Sequence, residues 1–245
     1  LYYFNLKPIL ASREIIQGLS RVNLRILPEV QKHFEKALSY GTFGSGEARE
    51  QLASLSRTFV ARPPQTSAED YGRYIEFTVR EVEKSAAQPA VDAKYLLFLG
   101  SIYNNYLGLN GDYARRAVDT LEFGIKLSPN KQQLYFELAS VYLSVGQPVR
   151  ALELMQKAAE LDPTFHGAQL NLAITAIVAK NKDVADKALA EYRRLIPAVD
   201  LASIQRLIQA YSSITAVASI KPLVEEALKL EPRNGALYGQ YAAIL

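Results

Sequence analysis

The sequence predicts an all-α fold: a right-handed solenoid of about six antiparallel helix hairpins followed by one terminal helix. Three observations carry that prediction. Residues 132–165 hold two short amphipathic helices that share one apolar seam. The first places Tyr135, Leu138, Ala139 and Tyr142 at helical spacing, and the second places Ala151, Leu154, Met155 and Ala158 there. Helix-ending prolines then recur at Pro129, Pro163, Pro197 and Pro232, spaced 34, 34 and 35 residues, each two positions after Leu127, Leu161, Leu195 and Leu230. Within each period the same residue types return.

The leading apolar position of each unit is Leu99, Leu138, Leu172 and Leu207, and its neighbour is Gly100, Ala139, Ala173 and Ile208. Three residues on come Tyr103, Tyr142, Ala176 and Tyr211; the second helix carries Ala117, Ala151, Ala185 and Ile220 at its small position. Small side chains let antiparallel helices approach, and Leu and Tyr fill the space between hairpins. One hairpin cannot bury its apolar stripe alone, so neighbours stack. This order of large, small and aromatic, then small, large, small and Pro, resembles the tetratricopeptide repeat. The resemblance implies a superhelix of stacked helix pairs.

Four units follow from the register: 91–131, 132–165, 166–199 and 200–234. The first has an enlarged turn, LGLNGDY at 107–113, expected to protrude. Ile208 and Ile220 in the fourth predict looser packing. Residues 1–90 read as degenerate hairpins of the same kind, and 235–245 as a terminal or truncated helix. Upstream, LYYFNLKPIL fits either a cap on the open end of the array or the watery edge of a membrane helix. Residues 9–40 form a hairpin broken at Pro28, and a third helix runs over roughly 46–60. ARPPQT is a loop by its double proline, and Ser67 with Asp70 opens a long helix through Val82 as a capping box.

Composition excludes several classes. A net charge of +3 over 245 residues does not describe a nucleic-acid surface, and the absence of cysteine excludes a disulfide framework or thiolate metal site. No run approaches the roughly 18 apolar residues of a membrane span, and a chain opening on Leu reads as part of something longer. Gly41, Gly44 and Gly46 precede a helix, but no strand comes before them and no Lys-Ser/Thr pair follows, so they make an inter-helix connection and not a phosphate cradle. His33 and His166 stand far apart without partners at metal-ligand spacing and read as surface or edge residues. Catalysis and cofactor binding are not expected.

The functional surface of such an array is its concave face, lined by the first helix of each unit. Common register gives the partner-binding set: Leu97, Phe98, Ser101 and Asn104; Phe136, Glu137 and Ser140; Leu170, Asn171 and Ile174; Gln205, Arg206 and Gln209. Repeat proteins of this family that grip acidic chaperone tails carry recurrent Lys, Asn and Arg here. In this chain the corresponding positions are Leu97, Ser101, Phe136, Ser140, Leu170 and Ile174, so that carboxylate clamp is missing. An apolar centre flanked by Asn and Gln suits an extended segment or an amphipathic helix, with Phe98 and Phe136 as anchor walls.

Residues 1–55, particularly YYFNLKPILASREIIQGLS and HFEKALSYGTFGSGEAREQL, resemble the segment after the last membrane helix of some bacterial O-antigen ligase or polymerase-like proteins with tetratricopeptide tails. That resemblance implies a soluble tail on a membrane glycan-transfer protein, with catalytic residues outside this chain and the side of the membrane open. The sequence thus leads to a non-catalytic scaffold binding a protein or peptide in the groove. Its alternatives are an accessory domain tethered to such a membrane protein, or a module that self-associates through the C-terminal end.

Overall fold

The computed structural model describes residues 6–22, 26–89 and 91–243. Tyr2, Tyr3 and Phe4, the aromatic cluster read as a cap or membrane edge, lie outside them. Every regular element among the described residues is helical, and the chain forms two compact units, Leu1–Pro129 and Asn130–Leu245. The division falls after the first regular repeat, whereas sequence pattern alone separates 1–90 from 91–234.

The first unit stacks three hairpins: α1 (Lys7–Val22) with α2 (Leu27–Ser39), α3 (Ser45–Ala61) with α4 (Ala68–Ala86), and α5 (Ala93–Asn105) with α6 (Tyr113–Leu127). Neighbouring hairpins meet through α2 on α4 and α3 on α5. Phe34, Leu52, Tyr74, Ile75, Tyr103 and Leu121 are fully buried between them. The capping box forms as expected: Ser67 Oγ accepts from the Asp70 amide at 3.0 Å and donates to the Asp70 carboxylate. The enlarged turn holds a short 3₁₀ segment at Leu107–Leu109, and Leu109 is 47% exposed.

The second unit stacks α7 (Gln132–Ser144) with α8 (Pro148–Leu161), α9 (His166–Val178) with α10 (Lys182–Leu195), and α11 (Leu201–Ser213) with α12 (Val217–Leu230); α13 (Gly235–Ala243) packs on α12. The small residues of the repeat lie where the seam requires them. Ala139, Ala151, Ala158, Ala173 and Ala176 expose no surface. Ile208 and Ile220 are also buried, and the α11–α12 seam is sparser than those of α7–α8 and α9–α10. Pro222 lies inside α12, where it removes one helical hydrogen bond.

The turns between paired helices repeat one device. Gly146, Lys180 and Thr215, one period apart, all take left-handed backbone, with φ of 74°, 56° and 56°. In each, the following amide reaches back to close the helix: Gln147 to Tyr142 O at 2.7 Å, Asn181 to Ala176 O at 2.8 Å, and Ala216 to Tyr211 O at 3.0 Å. This is the Schellman ending. Glycine adopts it freely, but a side chain there costs about 1–2 kcal/mol.

Candidate functional site

In the second unit α9 packs on α11, and it meets the preceding hairpin through α8. Equivalent positions of α7, α9 and α11 fall in rows by register: Phe136, Leu170 and Gln205; Glu137, Asn171 and Arg206; Ser140, Ile174 and Gln209. One row is tied directly, since Arg206 Nη2 donates to Asn171 Oδ1 at 2.6 Å. Phe136 and Ile174 are half-buried and lean on the unit's core, whereas Gln205, Arg206 and Gln209 are exposed. Glu137, Ser140 and Asn171 are half-buried. Leu170 is buried in the core at 4% exposure, so it supports this face from beneath.

One residue of this region is invisible to the repeat register. Phe165 caps the start of α9, is 41% exposed, and sets its ring 6.4 Å from that of Phe136. Its ring in turn lies 5.7 Å from His166. A Cβ on Gly167 would come within 2.6 Å of the Phe165 ring, so that glycine leaves room for it. Phe136 therefore meets the repeat boundary through Phe165. The signal in the sequence is an aromatic directly after the Asp-Pro-Thr turn.

The first unit holds the remaining candidates on α5. Leu97, Phe98 and Asn104 are half-buried, and Ser101 is buried at 6% exposure, accepting from Asn105. Phe98 packs edge-on to Tyr95, 6.4 Å between centroids. Tyr95 in turn donates to Glu50 on α3 at 3.1 Å, and the Lys94 ammonium pairs with Glu50 at 2.6 Å. Phe98 and Phe136, expected as walls of one anchor pocket, thus belong to separate compact units.

Two polar clusters in the first unit escape the sequence reading. Glu14 on α1 is buried, yet its carboxylate pairs with the Lys36 ammonium at 2.6 Å and with His33 Nδ1 at 2.7 Å. Lys36 first, then His33, hold the Glu14 carboxyl below its ordinary value. His33, read as a surface or edge residue without partners at metal-ligand spacing, is therefore part of a clasp between α1 and α2. Glu83 on α4 accepts from the Tyr103 hydroxyl at 2.6 Å and pairs with Arg116, whose guanidinium lies 4.6 Å from the Tyr103 ring centre. Burial, reinforced by Glu83, pushes the Tyr103 hydroxyl above its ordinary range. Each of these groups is already engaged by another protein group, which suits bracing. No group of three His, Cys, Asp or Glu able to hold a metal occurs among the described residues. No helix among them is long and apolar enough to cross a membrane.

No protein-family model matches the chain, and no curated protein matches it, so the O-antigen ligase resemblance of residues 1–55 gains no support there. Solved structures do match. A thermophilic TPR protein of Thermus thermophilus aligns with a TM-score of 0.55 at 17% identity, over 80% of this chain and 98% of its own. PilF of Pseudomonas aeruginosa aligns with a TM-score of 0.55 at 16% identity, over 97% of this chain and 98% of its own. A MamA RS-1 double mutant aligns with a TM-score of 0.51 at 20% identity, over 74% of this chain and 95% of its own.

Proposed function

The chain has the tetratricopeptide-repeat fold, and on that premise we propose that it is a non-catalytic scaffold holding a polypeptide along the face of α7, α9 and α11. The observation that carries this reading is the composition of that face. Phe136 and Phe165 meet ring to ring, Ile174 adds apolar surface on α9, and the exposed Gln205, Arg206 and Gln209 of α11 supply hydrogen-bonding groups. An extended segment or amphipathic helix needs that combination: apolar contact for affinity and polar groups for register. The polar clusters elsewhere are closed on themselves, which favours binding over chemistry.

Exposed positions give the cleanest test, because substitutions there change stability by less than about 0.5 kcal/mol. The wild-type chain and a Gln205→Ala, Arg206→Ala, Gln209→Ala variant are immobilised and challenged with the same bacterial lysate. A polypeptide retained by the wild type and lost from the variant, with equal melting temperatures, is the expected result. Equal retention by both would contradict it. Phe136→Glu and Ile174→Glu should abolish capture as well, but their contact with the core means that stability falls alongside.

A further inference from the structure

We propose that a cavity at the turn edge of the second unit binds an aromatic residue of a partner polypeptide, together with a carboxylate on or next to that residue. The cavity lies among α9, α10, α11 and α12 and measures about 440 Å³. That volume falls within the range of ligand sites. Its floor is apolar: Ile177 and Ala185 are buried, and Tyr211, Ile214 and Ala216 are half-buried around it. A flat ring fits such a floor, and the Tyr211 ring supplies an aromatic neighbour.

Charge selects the rest of the occupant. Lys182 and Asp186 both line the cavity, but they pair with each other. Lys180, also at the rim, is exposed and makes no ion pair among the described residues. The site therefore offers one uncompensated ammonium beside an apolar floor, which a ring with an adjacent carboxylate complements.

Backbone conformation singles out the same place. Among the described residues, Lys180 and Thr215 are the non-glycine positions with left-handed backbone. Lys180 lines this cavity, and Thr215 sits between its lining residues Ile214 and Ala216. The α7–α8 turn shows that glycine serves at this position, in Gly146. Here the left-handed position of the hairpin ending is filled by Lys180, which places a long cationic side chain at the cavity rim.

The test uses the intact chain, isotope-labelled and followed by amide NMR during titration with N-acetylphenylalanine, its uncharged amide, and N-acetylalanine. The expected result is saturable shifts at Ala185, Tyr211 and Ala216 with N-acetylphenylalanine. Affinity should be about tenfold weaker for the other two probes, as expected for loss of a charge-assisted contact or of the ring. Lys180→Gly should weaken binding by a similar factor without lowering the melting temperature, since it removes the ammonium and relaxes the turn. Lys180→Arg should retain binding, and Ala216→Phe, which fills the cavity, should abolish it. The proposal is overturned by the absence of saturable shifts at these amides. It is equally overturned by equal affinity for the amide and in Lys180→Gly, or by an unchanged titration in Ala216→Phe.

Discussion

Gly100 on α5 leaves no space for a side chain: an added Cβ would run into Leu121 of α6, 2.6 Å from its Cδ2. Leu121 is fully buried and cannot swing into solvent. Gly100→Ala should therefore lower unfolding free energy by about 1–3 kcal/mol in urea denaturation, as overpacking does. An unchanged midpoint would mean that the α5–α6 seam opens freely. At the other end of the unit, Glu14 has a depressed carboxyl pKa, so its contribution is full above the ordinary value of 4.5 and is lost as pH falls through the lower folded-state value. Between about pH 5 and pH 3 the wild type should lose stability more steeply than Glu14→Gln. Parallel pH profiles would show that the clasp contributes nothing. The need for a small residue at Gly100 was legible, because the repeat register marks that position. The Glu14–His33 contact was not, because it joins two helices whose facing is set by packing and not by any sequence period. Phe165 was hidden for a related reason: it stands at a helix start, outside the inner-face register.

Among the elements, the three Schellman turns of the second unit place different residues in left-handed backbone. Thr215 is β-branched and is the worst suited of the three. Thr215→Gly should raise stability by about 1 kcal/mol, and Gly146→Ala should lower it by a similar amount. Thermal or urea unfolding measures both, and a Thr215→Gly variant of reduced stability would contradict the strain argument. Ala151 exposes no surface at the α7–α8 seam, so Ala151→Leu should cost about 1–3 kcal/mol. Helix starts, stops and pairing were readable because prolines, caps and small residues obey local rules. Lys180 and Thr215 were unreadable as left-handed positions because neither side chain favours that conformation; the hairpin geometry imposes it.

The whole molecule is two compact bodies, each of stacked hairpins, with the tetratricopeptide-repeat fold. The period of residues 91–234 made the stacking legible, since each hairpin buries its stripe only against a neighbour. The division after Pro129 was not legible, because an identical Leu-x-Pro ending closes every repeat. The expected partner-binding face was likewise only partly legible: register names the positions, but burial decides which of them reach the surface, and it withdraws Leu170 and Ser101. Site-specific photo-crosslinking tests the proposed use of this face with little disturbance to it. Benzoylphenylalanine is placed at the exposed Gln205 on α11 and, as a control, at the exposed Glu153 on α8, and each protein is irradiated in lysate. The expected result is a polypeptide joined at position 205 and not at position 153. Equal labelling at both positions, labelling only at 153, or only a second copy of this chain at 205 would contradict the assignment of the α7, α9 and α11 face to a polypeptide partner.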